Sequence, residues 1–344
     1  MALRIRKVVV VGKNDYSTSI LHALSHARND YLPKTDVNTG EANDNDNVKA
    51  RPNHDCNHHE SLYNLTLLTR PHQSPPSVHK IHHRTSDYRL SSLTTAFQNA
   101  DAVISTIAPA DKPFQKQLID AAIAAHVSHF IPCEFSYDTQ SSRIRDAFPP
   151  CAARAEILDY LEERSSCSKR LFSWTALATG CPLESGLKDG LLAFDMTWKS
   201  ATIYGSGNER FPCSTSRGVG DAMTLLLKGL QEGRGREEYL YRSEFMTSQN
   251  EILAAIESTE GKSWNVIEAE VDECFREGDM RMKKGFFDGA MMLLERNVLY
   301  GEVESTDRWE RSEILENRDA RLKQAIKAVI DQVEMNGKLD CGCA

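Results

Sequence analysis

Residues 5–19 read Ile5-Arg6-Lys7-Val8-Val9-Val10-Val11-Gly12-Lys13-Asn14-Asp15-Tyr16-Ser17-Thr18-Ser19, and the fold class turns on how this stretch divides. Ile5 to Val11 is short, almost wholly apolar and β-branched, the pattern of a strand buried on both faces of a parallel sheet. Beyond Gly12 the period changes. Ile20, Leu21 and Leu24 fall at helical spacing with Ala23 and Ala27, which predicts a helix from about Ser17 to Arg28 packed back on that strand. Strand, tight turn and helix open a βαβ unit.

The alternation continues outward. Tyr63 to Leu68, running on into Thr69 and Arg70, reads as a second strand that Pro71, Pro75 and Pro76 bring to a stop. Ala102 to Thr106, Phe130 to Pro132 and Phe172 to Ala178 read as further strands, with helices predicted over Phe114 to Ala125 and Ala152 to Arg164. Strands and helices alternating at this length predict an α/β fold with a Rossmann-like, doubly wound parallel sheet, whose ligands lie beyond the carboxyl ends of the strands. Between the first two strands, the tract from about 29 to 61 is rich in Asn, Asp, His and Lys and reads as a mobile polar insertion. Ala201 to Tyr204 reads as a strand and Val219 to Leu230 as a helix, while Ser248-Gln249-Asn250-Glu251 is a capping box before Ile252 to Ile256. Asn317 to Val333 forms an amphipathic helix. The expected organisation is a dinucleotide-binding domain over 1–180 and a smaller, helix-rich substrate part over 181–344, with segments near 200–230 returning to the core.

The 344 residues carry 49 acidic and 41 basic side chains, a net charge of −8, so there is no basic footprint for nucleic acid or an anionic membrane. No apolar run approaches the ~20 residues of a membrane span and no secretory leader is evident, so a cytoplasmic location is expected. The nine cysteines lack the spacing of a disulfide framework. Seven of the eleven histidines fall between His54 and His83, a tract that reads as solvated loop, and no metal is expected.

Gly12, Lys13, Asn14, Ser17 and Thr18 are the candidates for a diphosphate turn, because a glycine before a helix N-terminus lets backbone amides approach phosphate. Asp15 opposes that charge and Tyr16 adds bulk, so an ordinary helix cap at Asn14 or Asp15 is the alternative. Arg70, ending the second strand, suits the 2′-phosphate of NADP, where an acidic residue would take the ribose hydroxyl of NAD. Thr106 ends the strand beside the turn and joins the same candidate set.

Val8 to Gly12, Leu67-Leu68-Thr69-Arg70, Asp101-Ala102-Val103-Ile104-Ser105, Phe130-Ile131-Pro132-Cys133-Glu134-Phe135, and Ala201-Thr202-Ile203-Tyr204-Gly205-Ser206-Gly207-Asn208 with Phe211 follow in order, then Arg217-Gly218-Val219-Gly220-Asp221-Ala222 and Gly261-Lys262-Ser263-Trp264. Together they resemble the NmrA-like and isoflavone-reductase-like branch of the atypical short-chain dehydrogenases, particularly its fungal members. The resemblance implies a Rossmann-like NADP domain, a smaller C-terminal substrate pocket and hydride transfer to small aromatic or heterocyclic secondary metabolites. The family's GxxGxxG loop has lost its later two glycines here and is about one residue shorter. Where the family places a lysine some seven residues before a leucine, counting back from Leu161 gives Arg154. Arginine keeps the charge and can hold ribose or substrate, but a pKa above ~12 removes it from proton transfer. Cys133 and Glu134, at the carboxyl end of the Phe130 strand, complete the catalytic candidates; small apolar packing is the other reading of Cys133. The implied activity is an NADP-dependent reductase. The lost lysine and glycines leave two alternatives, a dinucleotide-sensing regulator without catalysis and a cofactor-independent isomerase, cyclase or lyase.

Overall fold

Val8, Val9, Val10 and Val11 are all buried because their strand has a partner on each edge and a helical layer on each face. Val8 and Val10 point into one core with Ile20, Leu21, Leu24, Val219 and Met223, whereas Val9 and Val11 point into another with Leu93, Phe97, Leu118 and Ile157. The computed structural model describes residues 3–27, 61–108, 111–168, 172–236, 238–301, 307–310 and 317–340. The expected polar insertion, Ser61 aside, lies outside the described residues, and with it His54, Cys56, His58 and His59.

In chain order the first elements are β1 (Lys7–Val11), α1 (Asp15–Ser25), β2 (Asn64–Thr69), β3 (Ile81–Thr85), α2 (Leu90–Phe97), β4 (Ala102–Ser105), α3 (Lys112–Ala124), β5 (His129–Ile131), α4 (Ser142–Ala147), α5 (Pro149–Cys167) and β6 (Ser173–Ala178). There follow β7 (Cys181–Pro182), α6 (Leu183–Lys188), β8 (Phe194–Asp195), β9 (Ser200–Tyr204), β10 (Phe211–Ser214), α7 (Ser216–Gln231), β11 (Glu238–Tyr241), β12 (Phe245–Thr247) and α8 (Gln249–Glu260). The chain continues through β13 (Asn265–Ala269), α9 (Val271–Lys283), α10 (Phe287–Tyr300), α11 (Asp307–Glu310) and α12 (Arg318–Asp340).

The main sheet has seven strands in the order β11-β6-β5-β4-β1-β2-β3, and each neighbouring pair is parallel. This is the doubly wound, Rossmann-like arrangement, and its direction of winding reverses between β1 and β4. The crevice at that reversal, beyond the carboxyl ends of the strands, is where such a sheet receives a ligand.

The chain beyond residue 180 contributes to this sheet as well as to its own core. Helix α7 packs on α1 so closely that a Cβ on Gly220 would lie 2.6 Å from the Ser19 carbonyl oxygen, and β11 pairs with β6. Two three-stranded sheets, β12-β10-β7 and β13-β9-β8, support a second core in which Leu187, Ile252, Ile256, Leu294, Val298, Ile326 and Val329 are buried. Among the described residues no helix is long and apolar enough to cross a membrane.

Two local expectations need correction. The prolines after Arg70 do not end the regular structure for long, since Ile81-His82-His83-Arg84-Thr85 forms β3, with His83 Nε2 within 2.9 Å of Thr69 Oγ1. An edge strand is held through its backbone and needs no apolar alternation, so this polar run gave no strand signal. Helix α1 begins at Asp15 rather than Ser17, because Asn14 caps it.

Candidate active site

Gly12 follows β1 with φ +106°, a conformation that costs a side-chain-bearing residue free energy. A Cβ there would stand 2.8 Å from both Thr106 Oγ1 and Ile107 Cγ1, so the turn lies against the end of β4. Thr106 is buried and buttresses the turn: its amide and its hydroxyl both donate to the Val11 carbonyl at 2.9 Å. Asn14 Nδ2 donates to the Thr106 carbonyl at 2.6 Å, tying the turn to β4.

The start of α1 is capped from within. Asn14 Oδ1 accepts from the Ser17 amide at 2.9 Å while Ser17 Oγ accepts from the Asn14 amide at 2.9 Å, a reciprocal capping box. The Ser17 and Thr18 hydroxyls both donate to the Asn14 carbonyl, at 2.8 and 3.0 Å, so both are engaged within the helix. Asp15 occupies the first turn, where a carboxylate already offsets the positive end of the helix dipole. Lys13 is exposed beside it.

Arg70 leaves the end of β2 exposed, with its guanidinium carbon 5.0 Å from the centre of the Tyr88 ring. Tyr88 in turn stacks on Phe114, with centroids 5.3 Å apart and planes inclined by 22°. A cation on a stacked aromatic pair thus stands beyond β2 and β3, at the same carboxyl end of the sheet as the Gly12 turn.

Across the crevice, the residues after β5 meet α5. Glu134 is 2% exposed and accepts from Thr139 Oγ1 at 2.8 Å and from the Tyr239 phenol at 3.5 Å. Burial pushes its carboxyl up to about 7, against the opposing pull of Arg154 and those hydroxyl bonds. Cys133 packs against the α1-side core, and burial pushes its thiol up to about 12, which makes it a neutral wall rather than a thiolate nucleophile. Arg154, on the buried face of α5, donates from Nη2 to Cys151 Sγ at 3.1 Å. Tyr137 is fully buried and donates to Glu295 Oε1 at 2.7 Å, drawing a carboxyl of α10 into the same cluster.

Tyr16 joins the two halves. Its phenol donates to the Phe135 carbonyl at 3.4 Å, and its ring meets Phe135 edge-on. An open groove of about 490 Å³ lies elsewhere, between β3 and α2, lined by Arg84, Thr85, Ser92, Thr95 and Ala96, and none of the groups above borders it.

The NmrA-like family matches residues 74–320 of this chain. The chain belongs to the NmrA-like family. Among curated relatives, oxidoreductase aprR of Aspergillus flavus is 32% identical over 237 residues, 67% of this chain and 77% of aprR. Oxidoreductase poxI of Penicillium oxalicum is 27% identical over 256 residues, 73% of this chain and 80% of poxI. Among solved structures, AtPrR2 with NADP+ and (+)pinoresinol aligns with a TM-score of 0.64 at 16% identity, covering 94% of this chain and 99% of that one. The ternary complex of leucoanthocyanidin reductase from Vitis vinifera aligns at 0.62 and 12% identity, covering 94% and 99%. At those identities the likeness is one of fold.

The residues of this NmrA-like chain fit a dinucleotide unevenly. The exposed Arg70 on Tyr88 suits a phosphate, whereas the capping box of Asn14 and Ser17 already engages amides at the start of α1, Asp15 sets a carboxylate there, and Tyr16 spans the crevice. Sequence reading brings out Gly12, Arg70, Thr106, Glu134 and Arg154, and the structure places all of them around the carboxyl ends of the central strands. It misses Tyr88, Tyr239 and Glu295. Glu295 lies 158 residues from its partner Tyr137, and no local pattern announces such a pairing. Among the described residues no group of three or more His, Cys, Asp or Glu side chains is placed to hold a metal ion.

Proposed function

We propose that this NmrA-like protein is an NADP-dependent oxidoreductase of the cytoplasm that acts on a small aromatic or heterocyclic secondary metabolite. The observation that carries the reading is the Gly12 turn. Its positive φ, and the lack of room for a Cβ beside Thr106, seat the turn against the end of β4 at the crevice between β1 and β4, where α1 begins. The relatives named as oxidoreductases, and the solved neighbours that hold NADP+ or NADPH, support it.

When bound, the nicotinamide supplies hydride. The chain's own residues divide the remaining work. Arg70 pairs with a 2′-phosphate, and Tyr88 gives the guanidinium a flat support. Gly12, Lys13 and Asn14 line the diphosphate turn, with Ser17, Thr18 and Thr106 holding its shape. Arg154 orients ribose or substrate without exchanging a proton. Glu134, with a carboxyl near neutrality, is the group able to hold or release one, while Cys133 excludes water. Incubation with NADPH and a panel of aromatic and heterocyclic ketones and enones tests the proposal. Loss of nicotinamide absorbance in step with product supports it; no NADPH binding and no oxidation with any compound overturns it.

Tyr16 favours one second reading, a redox-neutral isomerase, cyclase or lyase. Its contact with Phe135 closes the crevice while leaving Glu134 and Arg154 together behind it. Turnover by nucleotide-free protein would select that reading.

A further inference from the structure

Arg154 is 9% exposed, yet among the described residues its Nε hydrogen has no acceptor. Its Nη2 donates to Cys151 Sγ, a thiol that burial pushes up to about 11 and keeps neutral. The two nearby carboxyl groups are bonded elsewhere, Glu134 to Thr139 at 2.8 Å and Glu295 to Tyr137 at 2.7 Å. Burial shifts both toward their neutral forms. Arg321 shows the ordinary arrangement in the same chain, donating at 2.7 Å to the buried carboxylate of Glu244. A buried guanidinium bonded to a thiol, with its Nε lacking an acceptor, has among the described residues no direct contact with the anion that normally accompanies such a charge.

We propose that the buried edge of the Arg154 guanidinium, whose Nε lacks an acceptor, binds a planar, singly charged, two-oxygen anion carried by the substrate, a carboxylate or an enolised 1,3-dicarbonyl. The inference rests on the preceding section for placing the substrate at this crevice, and it names the substrate's chemical class. The flat fork of a guanidinium matches two coplanar oxygens, and among the described residues no carboxyl group is hydrogen-bonded to it, Glu134 and Glu295 being bonded to Thr139 and Tyr137. Phosphate is a poorer match. It is tetrahedral and carries up to two charges, whereas the fork is planar and carries one.

Calorimetric titration of nucleotide-free protein with acetate and benzoate, against acetamide and benzamide as neutral isosteres and inorganic phosphate as the competing anion, tests this. Benzoate should bind saturably and at least tenfold more tightly than benzamide. Arg154→Met should abolish the preference, and Arg154→Lys should lose most of it, because an ammonium cannot present two parallel N–H groups. Cys151→Ala should retain it. If Arg154→Met fails to fold, as judged by circular dichroism, the Lys and Cys151 variants decide the matter. Equal affinity for acid and amide, benzoate binding unchanged in Arg154→Lys, or displacement of benzoate by phosphate would each overturn the proposal. No nucleotide is present in any arm, so failure of NADPH binding is a separate result.

Discussion

The Tyr16 phenol on α1 donates to the Phe135 carbonyl beyond β5 at 3.4 Å, and the two rings meet edge-on with centroids 5.5 Å apart. Because β4 lies between β1 and β5, this contact crosses the crevice of the sheet. A bond of that length is at the weak end of the range, and the rest of the contact is ring packing. The closure is therefore held loosely enough for a ligand to displace it.

Removing the ring should open the crevice. Tyr16→Ala is expected to tighten NADPH binding roughly tenfold, about 1.4 kcal/mol, whereas Tyr16→Phe, which keeps the ring, should change it little. Fluorescence titration of both variants checks this. Equal affinities in Tyr16→Ala and the wild type would show that the ring does not compete with the dinucleotide.

Gly12→Ala should damage both fold and site. Its φ of +106°, and a Cβ that would stand 2.8 Å from Thr106 Oγ1 and Ile107 Cγ1, oblige the turn to move. A cost of about 1–3 kcal/mol is expected from strain of this kind. Thermal melting should show a lowered midpoint and NADPH titration a weakened affinity; a wild-type melting curve would contradict the account of the turn.

Glu134 gives stability a dependence on pH. Burial raises its carboxyl from 4.5 to about 7, so between these values the folded chain keeps a proton that the unfolded chain has released. The contribution is complete below the lower value and is lost as pH rises through the upper one, costing up to about 3 kcal/mol. Glu134→Gln is neutral throughout and still accepts from Thr139. Its melting point relative to wild type should rise between about pH 5 and pH 8, and a difference independent of pH would mean that Glu134 does not titrate there.

The central strands and helices were legible because burial on both faces leaves a continuous β-branched run in β1 and helical apolar spacing in α1 and α5. Edge elements were not. In β3 the side chains of His82, Arg84 and Thr85 are exposed, so pairing through the backbone left no apolar signature. The site was legible only where a residue is special in itself, as with the glycine of the turn or the arginine ending β2. Tyr88 was hidden because its value lies in stacking on Phe114 beneath Arg70, and Glu295 because α10 brings it to Tyr137 from far along the chain. Tyr16 was visible as bulk, but its reach to Phe135 depends on a sheet order that no local window contains.

The most direct test of an NADP site at the ends of β1, β2 and β4 is titration of the wild type and Arg70→Ala with NADPH and NADH. Loss of a charge-assisted bond to phosphate is worth about 1.5–3 kcal/mol. The wild type should therefore bind NADPH at least tenfold more tightly than NADH, and Arg70→Ala should remove that preference while leaving NADH binding nearly unchanged. Binding of neither nucleotide, or an NADPH preference that survives the loss of Arg70, would contradict the placement.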